Sequence, residues 1–169
     1  MGLKLIALKM LVPNVDLINK HYLVDPNWPK VTGEKTIESY KKKGKIPPSD
    51  DPLKVTEIVL NNLKKYMTNG PVIASVWEGA HAVPIIRKLI GGTEPLTSDV
   101  GTIRGDFTID SYELSDISGR AVRNLIHASG SPSEAEKEIA LWFSSDEVFK
   151  YRLIQDEVLY DVNLDGILE

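Results

Sequence analysis

Residues 124–143 read Asn-Leu-Ile-His-Ala-Ser-Gly-Ser-Pro-Ser-Glu-Ala-Glu-Lys-Glu-Ile-Ala-Leu-Trp-Phe. The second half announces a helix. Ser131 is a cap, Pro132 suits the first helical position, and Glu134 stands where a capping-box carboxylate belongs. Ala135, Ile139 and Trp142 then fall on one face. His127 precedes that helix in a turn of small residues, and the N-terminal end of a helix welcomes an anion. Two readings of His127 stand on residues alone. It serves an anion site, or it merely caps or packs, and for a lone histidine the second is the commoner outcome.

Upstream lies Gly101-Thr102-Ile103-Arg104-Gly105-Asp106. Arg104 offers a two-pronged fork for phosphate, and its flanking glycines permit close approach of backbone or ligand. The plain alternative is an ion pair with Asp106 or at the surface. Arg87 alone reads as a solvated charge. Thr93 and Glu94 follow a double glycine, where a hydroxyl either meets a phosphate oxygen or closes a turn. The spacing predicts a helix over 81–90, a loop over 93–106, and short strands or extended segments at 107–109 and 124–126. A second insertion is expected at 111–123. Ser145 opens another short helix, and the acidic stretch from Asp156 to Glu169 is expected to lie on the surface.

The N-terminal half starts with an apolar run at 3–12 ended by Pro13, read as a buried strand. Residues 14–23 place Val15, Ile18 and Tyr22 at helical spacing. Residues 24–52 hold five prolines and two glycines, with four lysines in Lys41–Lys45, and read as an excursion containing a short helix near 34–43. Pro52 begins a helix over 52–68 whose Val55, Ile58, Val59, Leu63, Tyr66 and Met67 form a stripe, and 71–77 read as a strand.

Length favours one domain over 1–169 with insertions at about 24–52 and 111–123. A net charge of −4 gives no global attraction to nucleic acid or anionic membranes. The chain has no cysteine, which excludes disulfides and thiolate zinc and fits a reducing compartment. Its three histidines have no metal-ligand spacing, so no protein metal site is expected. No apolar run approaches the roughly 20 residues that span a bilayer, and there is no Walker A pattern.

From Asn61 onward the chain resembles nucleoside diphosphate kinases. The matching stretches are Tyr66-Met67, Gly70-Pro71-Val72, Val76-Trp77-Glu78-Gly79, Arg87 to Gly91 with Thr93 and Pro95, and Gly101 to Phe107. Asn124-x-x-His127-x-Ser129 and the segment from Ser133 to Phe143 complete them. Residues 3–11 and Asn19 to Tyr22 also resemble the family's second strand and following helix.

The resemblance implies a ferredoxin-like α/β (α+β) sandwich, an antiparallel sheet with helices, and transfer of the γ-phosphate of ATP to a nucleoside diphosphate by a ping-pong route through phosphohistidine. His127 matches the phosphorylated nucleophile, and Glu138 the residue that accepts its other N–H. Arg87, Thr93 and Arg104 match phosphate ligands, Asn124 the ribose contact, and Tyr22 a tyrosine near the transferred phosphate. Mg²⁺ is implied on the nucleotide phosphates. Base contacts are implied to be mainly stacking, hence tolerant. A cytoplasmic homo-oligomer is implied, a hexamer or tetramer built from dimers. The alternative is a catalytically impaired nucleotide-binding or scaffolding relative.

The chain departs from the family in four places. The opening strand with its Lys-Pro-Asp motif is missing, so an N-terminally incomplete version of a longer protein is expected. Gly130 stands where the family usually has Asp. The insertion at 24–52 replaces the segment with the base-stacking Phe, for which Trp28 or Tyr40 are candidates, Trp28 equally for the core. The insertion at 111–123 enters near the nucleotide mouth.

Overall fold

The computed structural model describes residues 2–161 and 163. Its sheet is one antiparallel pair, β1 (Lys4–Leu11) and β2 (Val72–Glu78), with Met10 opposite Ile73 and Leu8 opposite Ser75. The register slips between Leu5 and Ala7. A bulge there breaks the strict alternation of faces, and both Ile6 and Ala7 are buried. They meet Val76 and Phe143 in the core, with Ile139 and Trp142 packed alongside.

The helices are α1 (Val15–Tyr22), α2 (Trp28–Lys42), α3 (Pro52–Met67), α4 (Ala82–Ile90), α5 (Ile103–Phe107), α6 (Tyr112–Ile117), α7 (Pro132–Trp142) and α8 (Ile154–Tyr160). Helices beside a small antiparallel sheet make the expected α+β class. Side-chain caps fix the helix starts. Asn14 accepts from the Leu17 amide at 2.8 Å, Asp51 from Leu53 at 2.9 Å, and Ser131 from Glu134 at 3.2 Å. Ile18 of α1 is fully buried.

The structure differs from the sequence reading in five places. α2 is longer than a short helix near 34–43, because Pro29 sits in its first turn, where a missing N–H costs nothing. Gly33 lets α2 cross α3 closely, since a Cβ there would run into the Pro52 carbonyl. The 93–106 loop contains a 3₁₀ turn, Pro95–Thr97, and then α5, capped by Thr102. Gly105 serves that packing, for a Cβ there would meet the Asp99 carbonyl.

Residues 107–109 and 124–126 are not strands. Phe107 ends α5, and Thr108 bonds the Arg123 carbonyl through its side chain at 3.1 Å rather than through a ladder. Ile126 N–H donates to the Asn124 carbonyl at 2.7 Å across Leu125, whose φ is +65°. That is a γ-turn with a left-handed leucine, a strained arrangement. The acidic tail is not wholly surface-laid, because Asp156 is buried and lies 3.5 Å from Lys4. Positions 162 and 164–169 of that stretch lie outside the described residues.

Candidate active site

The capped start of α7 and the γ-turn hold His127 between them. Its side chain is 42% exposed, while that of Glu138 on α7 is 9% exposed. His127 Nε2 lies 3.3 Å from Glu138 Oε1. Ser129 Oγ donates to the other oxygen, Oε2. Glu138 is thus a carboxylate gripped from both sides. Burial alone would raise its pKa, but the bonds from His127 and Ser129 outweigh burial and hold it below the ordinary value. A carboxylate that accepts the Nε2 proton leaves Nδ1 as the lone-pair atom of the ring. Nδ1 has no hydrogen bond among the described residues.

Behind His127 stands His21, whose ring meets it edge to face at 4.7 Å. Trp142 Nε1 donates to His21 Nδ1 at 3.2 Å. An indole N–H is only a donor, so His21 Nδ1 must carry a lone pair. The 3.4 Å approach of that atom to Glu138 Oε1 is therefore not an ion pair. The surroundings agree. Burial first, and His127 second, press the His21 pKa down to about 4 against the pull of Glu138. His21, Ser129 and Trp142 were given no role by sequence reasoning. One signal was present, since His21 falls three residues after Ile18, on the buried side of α1.

Arg104 is 6% exposed and makes no bond to Asp106, which instead accepts from Gly101 N–H at 2.8 Å. Its guanidinium donates to carbonyls of Asn124 at 3.2 Å, Gly91 at 3.2 Å, Gly92 at 2.9 Å, and Ile126. Arginine has five N–H donors, so this clasp leaves one, on Nη2, for anything else. Arg87 is exposed and reaches the Ala128 carbonyl at 3.3 Å, one residue past His127. Burial lowers the Arg104 pKa, and the charge of Arg87 lowers it further, so the two cations repel each other. An anion between them relieves that repulsion.

Asn124 Nδ2 donates to the Thr93 carbonyl at 3.2 Å. Thr93 is exposed and lies beside Tyr112 of the 111–123 segment. Tyr22 tilts against Trp28 at 5.2 Å and lies edge-on to His21 at 5.0 Å. Burial and the Glu138 charge push its phenol up to about 12. The structure therefore gathers His127, Glu138 and Tyr22 around His21, sets Arg87 and Arg104 on the backbone carbonyls either side of His127, and ties Asn124 to the Thr93 carbonyl. Trp28 packs on Tyr22, and burial together with the charge of Asp116 raises the Tyr40 pKa.

His21, His127 and Glu138 also form a cluster of metal-ligating type. It does not suit Mg²⁺, which seeks oxygen ligands in an octahedron, and His21 Nδ1 already accepts the indole N–H.

The family model for nucleoside diphosphate kinase matches residues 54–148. A nucleoside diphosphate kinase of Pyrobaculum aerophilum is 44% identical over 153 residues, covering 88% of this chain and 84% of that protein. One of Borreliella burgdorferi is 36% identical, covering 89% of this chain and 76% of that protein. Among solved structures, an NDP kinase from Pyrobaculum aerophilum superposes with a TM-score of 0.84 at 45% identity, over 88% of this chain and 84% of its own. A transition-state mimic of the Borrelia burgdorferi enzyme with bound vanadate and ADP superposes with a TM-score of 0.70 at 34% identity, over 91% of this chain and 77% of its own.

Proposed function

The chain belongs to the nucleoside diphosphate kinase family, and we propose that His127 is the group that carries the phosphoryl between its two nucleotides. The activity is transfer of the γ-phosphate of a nucleoside triphosphate, ATP as donor, to a nucleoside diphosphate by a ping-pong route. The observation that carries the role of His127 is its ring, held through Nε2 by a buried carboxylate with Nδ1 left bare. In the first step the Nδ1 lone pair attacks the γ-phosphorus. The P–N bond forms as the bond to the β–γ bridging oxygen breaks, and the nucleoside diphosphate leaves with that electron pair. The ring gains positive charge, which the Glu138 carboxylate balances while Ser129 holds it in place. The second step is the reverse, with a different diphosphate as acceptor. One difficult transfer becomes two equivalent ones.

Arg87 and the remaining Nη2 proton of Arg104 neutralise charge on the equatorial oxygens, and Tyr22, kept protonated, offers a neutral donor. Thr93 contacts a phosphate oxygen, and Asn124 contacts the ribose. Mg²⁺ enters on the nucleotide as part of the substrate. We read the chain as one domain with insertions at about 24–52 and 111–123, and as a cytoplasmic homo-oligomer, a tetramer or hexamer of dimers. An impaired scaffolding relative would have no reason to keep His127, Glu138, Arg87, Arg104 and Asn124 together.

Incubation with γ-labelled ATP tests the reading. Wild type should take up acid-labile, base-stable label and pass it to a diphosphate. His127→Ala should take up none, with thermal stability nearly unchanged because the ring is half-exposed. Label on His127→Ala would overturn the assignment.

A further inference from the structure

Two lone pairs face each other beside His127. His21 Nδ1 carries one, because it accepts the Trp142 indole N–H at 3.2 Å. That nitrogen lies 3.4 Å from a carboxylate oxygen, Glu138 Oε1, and no proton stands between them. His127 Nε2 approaches the same oxygen at 3.3 Å. One ligand atom from each of the three residues lies within 4.8 Å of the other two. The side chains of His21 and Glu138 are 6% and 9% exposed, and the half-exposed His127 opens the group to solvent.

The spacing is that of a metal's ligands. Donor atoms on a tetrahedral Zn²⁺ sit about 2.0–2.1 Å from the ion, and hence about 3.3 Å from one another. Two edges of such a tetrahedron already have this length. Two imidazoles and one carboxylate are a familiar Zn²⁺ set, with the fourth position left to water. Ser129 fixes the carboxylate through its other oxygen, as the outer partner of a metal ligand does. Mg²⁺, which seeks oxygen, is offered a single carboxylate. Imidazole suits Zn²⁺ and its transition-metal neighbours instead. The indole N–H is the one competitor, and a metal must take His21 Nδ1 from it. The ion is therefore held reversibly, unlike a structural zinc.

We propose that His21, His127 and Glu138 form a site for a transition-metal dication, Zn²⁺ as the type, and that its occupation stops phosphoryl transfer. The metal site stands on this geometry, while the inhibition rests on the phosphoryl-transfer reading above. On binding, the neutral His127 ring moves its one proton from Nε2 to Nδ1 by exchange with water. Nε2 then gives its lone pair to the metal. Nδ1, now protonated, has none with which to attack phosphorus. The ring keeps one proton throughout, and nothing is oxidised. Spacing along the chain does not reveal this set, because its members come from α1, the turn after Leu125 and α7.

Metal binding is tested on the full chain without nucleotide. Co²⁺ reports its geometry through its visible d–d bands, and calorimetry reports Zn²⁺. Wild type should bind one metal per chain and show the tetrahedral Co²⁺ spectrum. His127→Ala and His21→Asn should each lose that spectrum and bind Zn²⁺ at least about tenfold more weakly, a loss that even an outer partner of a ligand can bring. His81→Asn, outside the group, should keep both. Trp142→Phe removes the competing donor and should bind Zn²⁺ more tightly. An octahedral Co²⁺ spectrum, or Zn²⁺ binding unchanged in both His127→Ala and His21→Asn, overturns the site. Uptake of label from γ-labelled ATP, with Mg²⁺ in excess, should cease when Zn²⁺ saturates the chain. It should return with TPEN, a chelator that strips Zn²⁺ and leaves Mg²⁺. Undiminished uptake by the metal-loaded chain overturns the inhibition. If no label is taken up even without Zn²⁺, the functional reading fails, and the Co²⁺ spectrum still decides the site.

Discussion

At the scale of single residues, the site depends on which nitrogen holds a proton. His21 is kept neutral because Trp142 needs its Nδ1 as an acceptor. Its pKa is pressed from about 6.5 to about 4 by burial and by His127. The unfolded chain therefore binds a proton between those values that the folded chain refuses. Stability is full above about pH 6.5 and falls as the pH drops toward 4, by at most about 3 kcal/mol. Glu138, with its lowered pKa, loses its contribution in the same direction as it protonates. Urea denaturation across this range should show the slope, and His21→Asn should flatten it. An equally steep slope in the variant would place the titration elsewhere. Little of this was legible beforehand. His127 and Glu138 came through a family pattern, whereas the partner that sets the tautomer of His21 lies 121 positions away, and no local motif reports such a pair.

At the scale of elements, Arg104 joins segments. Its four carbonyl contacts bind the end of α4 to the γ-turn that precedes His127. Without that clasp the left-handed Leu125 has nothing to hold it. Arg104→Lys is thus not conservative. An ammonium cannot reach all these carbonyls, and each one left buried and unpaired costs about 1–3 kcal/mol. We expect the variant to lose roughly 3 kcal/mol of stability as well as turnover, while Arg87→Lys, whose residue is exposed, loses turnover with little change in stability. Equal denaturation midpoints for wild type and Arg104→Lys would refute the clasp. The capped α7, α3 and both strands were readable because periodicity and cap chemistry agree in them. Neither trio, 107–109 nor 124–126, forms a strand, although Thr108 has extended backbone. Three apolar-rich residues have no measurable period, and a leucine gives no hint of positive φ. Arg104 itself was read as a phosphate fork, which accounts for only one of its five donors.

At the scale of the molecule, the segments 24–52 and 111–123 meet. Asp116 lies 4.0 Å from Lys43, its charge helps raise the Tyr40 pKa, and Lys43 stands 5.6 Å over the Tyr112 ring. Composition marked 24–52 as an excursion, but it could not show that this segment touches 111–123, since the charges that join them are ordinary surface types. The sheet has a further consequence. One face is packed on α7. The other presents Leu8, Met10 at 73% exposure, Val12, Ile73 at 71% exposure, and Trp77. Neighbouring apolar side chains on a sheet face are seldom left to water. Whatever covers them binds only the folded chain, so mass action couples folding to chain concentration. Differential scanning calorimetry over a roughly hundredfold dilution should show the melting temperature falling as the protein is diluted. Met10→Lys should remove that dependence along with much of the stability at high concentration. A melting temperature indifferent to dilution would mean that this hydrophobic face stays open to solvent, and that the lone protomer already holds all the free energy the fold has.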